Sequence, residues 1–207
     1  MYKTILFLAL ALVMISVTAD RPDIASTIPD SFWLEISLDQ EGGISTSQKI
    51  SVSRTLNKVK SLQTIVNGDE TTTFVTIADF NAKKISVFSA DHDICYVDPL
   101  EMELNFVEDL RAIFNNPETS PVEEAKDMNM FTVNWKSIEG VDDWTHFYFE
   151  KDTNVLRLFE HYFKEEHEDP WVAFTVSTPI TAQEFDDSEF TNPDCPITSE
   201  EVMTSDM

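Results

Sequence analysis

The sequence predicts a mainly β protein: a curved antiparallel half-barrel sheet of about 9–11 strands with one main helix packed on it. Three observations carry this. Apolar residues alternate with polar ones over most of the chain, turn signals recur every ten residues or so, and only one stretch switches to helical spacing. With 15 Phe, 4 Trp and 4 Tyr in 207 residues, the chain has apolar area for one sizeable core.

Met1-Tyr2-Lys3, the apolar run Ile5 to Ile15 and the small residues Val17 and Ala19 read as a signal peptide over 1–19. The run is shorter than the ~20 residues of a membrane span, so an uncleaved anchor is the weaker reading. Residues 20–30 form a polar lead. Phe32, Leu34, Ile36 and Leu38 then alternate with Trp33, Glu35, Ser37 and Asp39, the pattern of a half-buried strand. Gly42-Gly43 turns the chain into a second strand, read through Ile50, Val52 and Leu56. Leu62 to Val66 and Thr72 to Ala78 flank the tight-turn pair Asn67-Gly68. Asn81 to Lys84 and Asp91-His92-Asp93 bracket a strand at Ile85 to Phe88, and Ile94 to Val97 closes the series.

Asp98-Pro99-Leu100-Glu101 reads as a helix cap, followed at helical spacing by Leu104, Val107, Leu110 and Phe114 and stopped at Asn116-Pro117. Glu118 to Asp127 reads as a polar connection. A second β series follows: Phe131, Val133 and Trp135, then Trp144 to Phe149, Val155 to Phe163 and Val172 to Val176. The tail carries Phe185 and Phe190 and ends the domain (31–196) at Cys195-Pro196; residues 197–207 read as a disordered polar tail.

Charge narrows the function. With 14 Lys+Arg against 38 Asp+Glu the net charge is −24, and loss of Lys3 with the signal peptide makes it −25. Such a surface repels phosphate backbones, so no nucleic-acid partner is expected, and no integral membrane span is present. The expected location is outside the cell or within the secretory lumen. An even cysteine count in that oxidising route makes Cys95–Cys195 the simplest disulfide, with free or intermolecular thiols the alternative. No Asn-x-Ser/Thr sequon occurs.

No catalytic residue is expected. The sequence has neither a Gly-x-Ser-x-Gly elbow nor His-Glu-x-x-His, and His92, His146, His161 and His167 lack the partners of a standard site. Asp142, Asp143, Asp186 and Asp187 are weak calcium candidates, since Ca²⁺ favours paired carboxylates; Asp91 and Asp93 form a similar cluster. Calcium is therefore the one cofactor kept open. Trp33, Phe74, Trp135, Phe147, Phe149, Phe159 and Phe174 are the candidate walls of an apolar cavity, because one helix is too little cover for so many rings.

The order of parts also resembles the ependymin-related proteins. Asp79-Phe80-Asn81-Ala82-Lys83-Lys84-Ile85, then Ile94-Cys95, a helix, the strand at Trp135, Trp171-Val172-Ala173-Phe174-Thr175 and the closing Phe190-Thr191-Asn192-Pro193-Asp194-Cys195 carry the likeness over about residues 30 to 196. That family has more cysteines and N-glycan sites than the two and none found here. The resemblance implies a half-barrel shared with the bacterial lipoprotein-localisation (LolA-like) proteins, acyl chains held in a concave face, weak calcium binding and, in related folds, a homodimer. Together these readings point to a secreted, non-enzymatic protein binding a hydrophobic or lipid-like molecule. The alternative is an acidic extracellular protein that recruits calcium or a basic partner, of matrix or adhesion type.

Overall fold

A computed structural model describes residues 23–40, 43–100, 106–115, 122–136, 142–163 and 172–195. The signal peptide, His167 and the 197–207 tail lie outside them. Eleven strands form one antiparallel sheet in the order β6-β5-β4-β3-β2-β1-β11-β10-β9-β8-β7. The sheet is curved and does not close on itself. The first series is β1 (Ser31–Gln40), β2 (Ile44–Ser53), β3 (Lys58–Asn67), β4 (Glu70–Asp79), β5 (Lys84–Ser89) and β6 (Ile94–Pro99). The second is β7 (Val122–Ala125), β8 (Met128–Lys136), β9 (Asp142–Phe149), β10 (Leu156–Phe163) and β11 (Val172–Ala182). Each series is a meander, and the two meet where β11 pairs with β1. The edge strands β6 and β7 are joined through the helix α1 (Phe106–Asn115), so that connection has to cross the sheet on one side.

Turn chemistry explains how a chain with only 4 Gly makes so many hairpins. Gly68 sits at φ 60° in the β3–β4 turn, but Asn57, Asp93 and Asn154 take positive φ elsewhere, residues whose short polar side chains tolerate the left-handed region. Lys83 and Lys126 do so as well. Pro179 lies inside β11, a central strand, which ordinarily excludes proline. The register explains the exception: Trp33 pairs with Thr181 and Glu35 with Thr178, so β11 bulges at the proline and needs no ladder donor there.

α1 presents Val107, Leu110, Ile113 and Phe114, all buried, along one stripe. Phe114 packs edge-on against Phe131, Phe147 and Phe149 with centroids 5.2–5.7 Å apart, an arrangement that suits the ring quadrupoles. Ile24 and Ile28 of the lead are in the same core, and Arg111 fastens helix to lead by donating to the Ile28 carbonyl at 2.6 Å and pairing with Asp30 at 2.7 Å. Arg54 bridges Asp30 and Glu108.

The opposite, back side is crossed by the tail. Gln183 N–H donates to the Ser31 carbonyl at 3.0 Å, the Lys58 ammonium pairs with Asp187 at 2.7 Å and Asp79 at 3.0 Å, and Lys60 donates to the Glu189 carbonyl. A 3-10 turn, Asp187–Phe190, buries Phe190, and the tail ends in the Cys95–Cys195 disulfide on β6. Burial pushes the Lys58 ammonium down, but Asp187 and Asp79 outweigh it and hold the group above its ordinary value.

Several expected boundaries move. Asp98-Pro99 is the end of β6 and not a helix cap: Asp98 pairs with Ile85, Pro99 with Lys84, and Leu100 N–H donates to the Lys83 carbonyl at 2.8 Å. A ladder already formed by β5 outcompetes the local capping signal. The helix is described from Phe106, and the expected first turn, including Leu104, lies outside the described residues. Leu56 stands in the turn after β2, whose last residue is Ser53. The polar connection over 118–127 contains β7, an edge strand whose glutamates gave no alternation to read.

Phe114→Ala is expected to lower the unfolding free energy by about 3–5 kcal/mol, the usual loss for a buried phenylalanine, measured by urea denaturation. The double variant C95A/C195A is expected to lose about 2–4 kcal/mol, because the bond closes a loop of 100 residues. Unchanged denaturation midpoints would show that neither the helix anchor nor the tail clamp holds the sheet.

Candidate functional site

Alternation and register place the helix-side residues in rows across the sheet. Phe32, Val52, Val59 and Ala78 form one row and Leu34, Ile50, Ser61, Thr76 and Val87 the next. A third runs through Val176, Ile36, Gln48, Gln63 and Phe74. Leu38, Thr46, Ile65 and Thr72 make a fourth. On the other half, Phe174, Phe159, Phe147 and Phe131 are directly paired neighbours on four successive strands, with Val172, His161, Thr145 and Val133 beside them.

This side therefore has two chemistries. Near Phe114 it is mostly aromatic and aliphatic; on β2 to β5 the inward positions mix apolar residues such as Val52, Val59, Ile50 and Val87 with the hydroxyls and amides of Thr46, Gln48, Ser61, Gln63 and Thr76. None of the inward residues in those four β2–β4 rows is a lysine, arginine or carboxylate. They are nonetheless withdrawn from water: Thr46, Gln48, Ser61, Phe74, Thr76 and Ser89 are all buried. The Gln48 amide donates to Ser61 Oγ at 2.6 Å. Two polar atoms are left over. Gln63 Oε1 and Ser89 Oγ are shielded and have no hydrogen-bond partner, and Ser89 is 0% exposed. A buried polar atom without a partner costs about 1–3 kcal/mol relative to a satisfied one. Leu38, Ile50, Val172 and Ile180 border this region as partly exposed apolar residues.

The candidate cavity residues separate between the two sides of the sheet. Phe147, Phe149, Phe159 and Phe174 are together on the helix side, but Phe114 caps Phe147 and Phe149, while Phe159 and Phe174 stack on each other at 4.9 Å. Phe74 is on the same side at the far end, stacked on His92 at 5.8 Å. Trp33 is on the back, next to Ser51 and Thr181 in register, with the Lys49 ammonium 4.2 Å over its ring. Trp135 pairs with Asp143 at the end of β8, and the side chains of Trp135, Asp142 and Asp143 lie outside the described part. Asp186 is exposed, and Asp187 is engaged by Lys58. Among the described residues, no three His, Cys, Asp or Glu side chains converge as metal ligands.

The back of β8–β10 carries a second cluster. Glu160 is buried and pairs with Lys126, accepts from Tyr148 Oη at 2.6 Å and from Tyr162 Oη at 3.1 Å, and the Lys126 ammonium sits 4.6 Å over the Tyr148 ring. Trp144 stacks flat on Tyr162, 5.5 Å between centroids, and His146 meets the Tyr162 ring at 4.9 Å while sharing a 2.8 Å hydrogen bond with Thr132. Burial pushes the Glu160 carboxyl up, but Lys126 and the tyrosine hydroxyls outweigh it and hold it below the usual glutamate range. Burial and Glu160 push the Tyr148 phenol well up; burial pushes His146 down against the pull of Glu160 and Glu123, and pushes His161 down. With its charge neutralised and its oxygens occupied, Glu160 is a structural knot on the side away from the helix.

The residues missed at the sequence level are Gln48, Ser61, Gln63, Thr76 and Ser89. The signal was present: they fall at inward positions of strands β2 to β5, where alternation calls for apolar side chains. Polar residues are also common in any half-buried strand, which masks the signal.

Comparison with known proteins adds little. No family model matches the chain, and no curated protein matches it. Among solved structures, a crystal structure from Vibrio parahaemolyticus, assigned provisionally in its description to an outer membrane lipoprotein-sorting protein domain, aligns with a TM-score of 0.34 at 11% identity, covering 77% of this chain and 87% of that one. The fold stated above rests on the strand ladders.

Glu160→Gln is expected to cost about 1–3 kcal/mol near neutral pH, the price of disturbing a buried charge-assisted network. The sign follows from the depressed folded-state value: the carboxylate's contribution is full above the ordinary 4.5 and is lost as pH falls through the lower folded value. Urea denaturation of both proteins from pH 7 to pH 3 should show the gap closing below about 4.5; a gap that widens in acid contradicts this assignment.

Proposed function

We propose that this is a secreted, non-enzymatic binding protein that holds a hydrophobic, lipid-like ligand on the helix side of its curved sheet. One observation carries the reading: the cover does not match the sheet. Eleven strands at ~4.8 Å spacing extend about 48 Å along the curve, whereas the ten described residues of α1 extend about 15 Å. Phe114 of the helix stripe packs on Phe131, Phe147 and Phe149. That places the ligand surface away from the aromatic set, at the partly exposed apolar residues Leu38, Ile50 and Val172 that pack against the core. Apolar walls with a few placed polar groups suit a ligand held by burial, at about 25 cal/mol per Å² of apolar area.

The Cys95–Cys195 disulfide supports passage through an oxidising compartment. No helix among the described residues is long and apolar enough to cross a membrane. Membership of the ependymin-related family rests on the quoted sequence segments and belongs to the same proposal. Binding calls for no residue that does chemistry, and the buried Glu160, the most elaborate polar group, is on the other side of the sheet.

Protein secreted from a eukaryotic host should release an apolar molecule on solvent extraction, read by native mass spectrometry, and the stripped protein should bind the neutral dye N-phenyl-1-naphthylamine. Ile50→Glu should weaken dye binding about tenfold, since placing a charge in an apolar wall costs at least 1.4 kcal/mol of affinity. A stripped, folded protein that takes up neither dye nor lipid overturns the proposal.

A further inference from the structure

We propose that the ligand is an uncharged amphipathic molecule with a hydroxyl or amide head, and that Gln63 and Ser89 are the groups that bind that head. This rests on the binding reading above and names the class of ligand.

Three observations converge. First, Ser89 Oγ is fully withdrawn from solvent and unpartnered, as is Gln63 Oε1, although the neighbouring Gln48 and Ser61 satisfy each other at 2.6 Å. A shielded polar atom without a partner carries a desolvation cost that a ligand pairing with it offsets. Second, register sets both residues on the helix side. Gln63 is opposite Phe74 and Gln48, and Ser89 follows Val87, which is opposite Thr76. Third, the paired neighbours carry no fixed charge: Gln63 is opposite Gln48 and Phe74, and the row below it holds Ser61, Thr76 and Val87. A carboxylate or phosphate placed there would lose its hydration without gaining a cation.

The chemistry of the two atoms sharpens the choice. Gln63 Oε1 only accepts, so the head must donate, which a hydroxyl or an amide N–H does and a carboxylate does not. Ser89 Oγ both donates and accepts, so it takes a second hydroxyl or a carbonyl of the same head. The apolar body then runs across the rows to Leu38 and Ile50. A glycerol monoester of a long-chain acid has this combination of donor, carbonyl and chain; the free acid of the same length has the chain alone in common.

The test compares monopalmitoylglycerol with palmitate at pH 7.5 by displacement of N-phenyl-1-naphthylamine from the stripped protein, in wild type, Ser89→Ala and Gln63→Leu. The wild type should prefer the glycerol ester by about tenfold or more, the discrimination that buried polar pairs typically supply. Each substitution should shrink that preference, read as the ratio of the two competitors against the same dye, about five- to tenfold while melting temperature holds, Ser89→Ala being at least as stable as wild type because it deletes an unpaired polar atom. Equal or tighter binding of palmitate, or a preference that survives both substitutions, overturns this assignment while leaving the binding reading intact. Failure to bind dye, ester and acid alike overturns both.

Discussion

The pairing of β1 with β11 governs the rest of the architecture. It joins the beginnings and ends of two meanders in mid-sheet and so leaves β6 and β7, adjacent along the chain, at opposite edges. A chain that must pass from one edge to the other can do so only over a face, and the amphipathic stripe of α1 makes that crossing useful by burying Phe114 among the rings of β8 and β9. The lead before β1 joins the same core through Ile24 and Ile28, and Arg111 ties the two covers together. The tail after β11 leaves from the centre as well, takes the other side and is clamped to the far edge by Cys95–Cys195. One pairing therefore assigns each crossing segment its side.

The described helix sets Phe114 on the rings of β8 and β9, and the side chains along the sheet differ with distance from it. Where Phe114 reaches, the inward residues are phenylalanines and branched aliphatics; on β2 to β5 the same alternation delivers Thr46, Gln48, Ser61, Gln63, Thr76 and Ser89. A purely structural core would gain by filling those positions with valine or leucine, which carry no desolvation cost. Their neutrality matters as much as their polarity, because in a chain with 38 acidic residues the four rows from Phe32 to Thr72 hold none.

The back of the sheet is used differently. Its C-terminal half ties Lys126, Tyr148, Glu160 and Tyr162 into a satisfied network, and its N-terminal half is where Lys58 and Lys60 hold the tail. Cations are scarce in this protein, so their placement is informative. Arg54, Arg111, Lys58 and Lys126 each fasten one segment to another.

Strand existence, the meander order, the single helix and the disulfide could all be read from local pattern, because period-two alternation, turn residues and an even cysteine count act over a few residues or by simple counting. Where local signals competed with partners distant in sequence, they lost: Asp98-Pro99 looks like a cap but is held by β5, and Glu123 to Ala125 lack alternation yet pair with β8. The candidate site was legible only in part. Phenylalanines at alternating positions announce a face, but whether a ring is capped, as Phe147 and Phe149 are, or turned to the back, as Trp33 is, depends on where α1 and its neighbours settle. Gln63 and Ser89 stand at inward positions of the alternation, but whether their polar atoms find partners depends on the same packing. Alternation by itself determined which residues share a side of a strand; which side the helix covers, and which polar atoms are buried without a partner, was decided by packing between elements far apart in the chain.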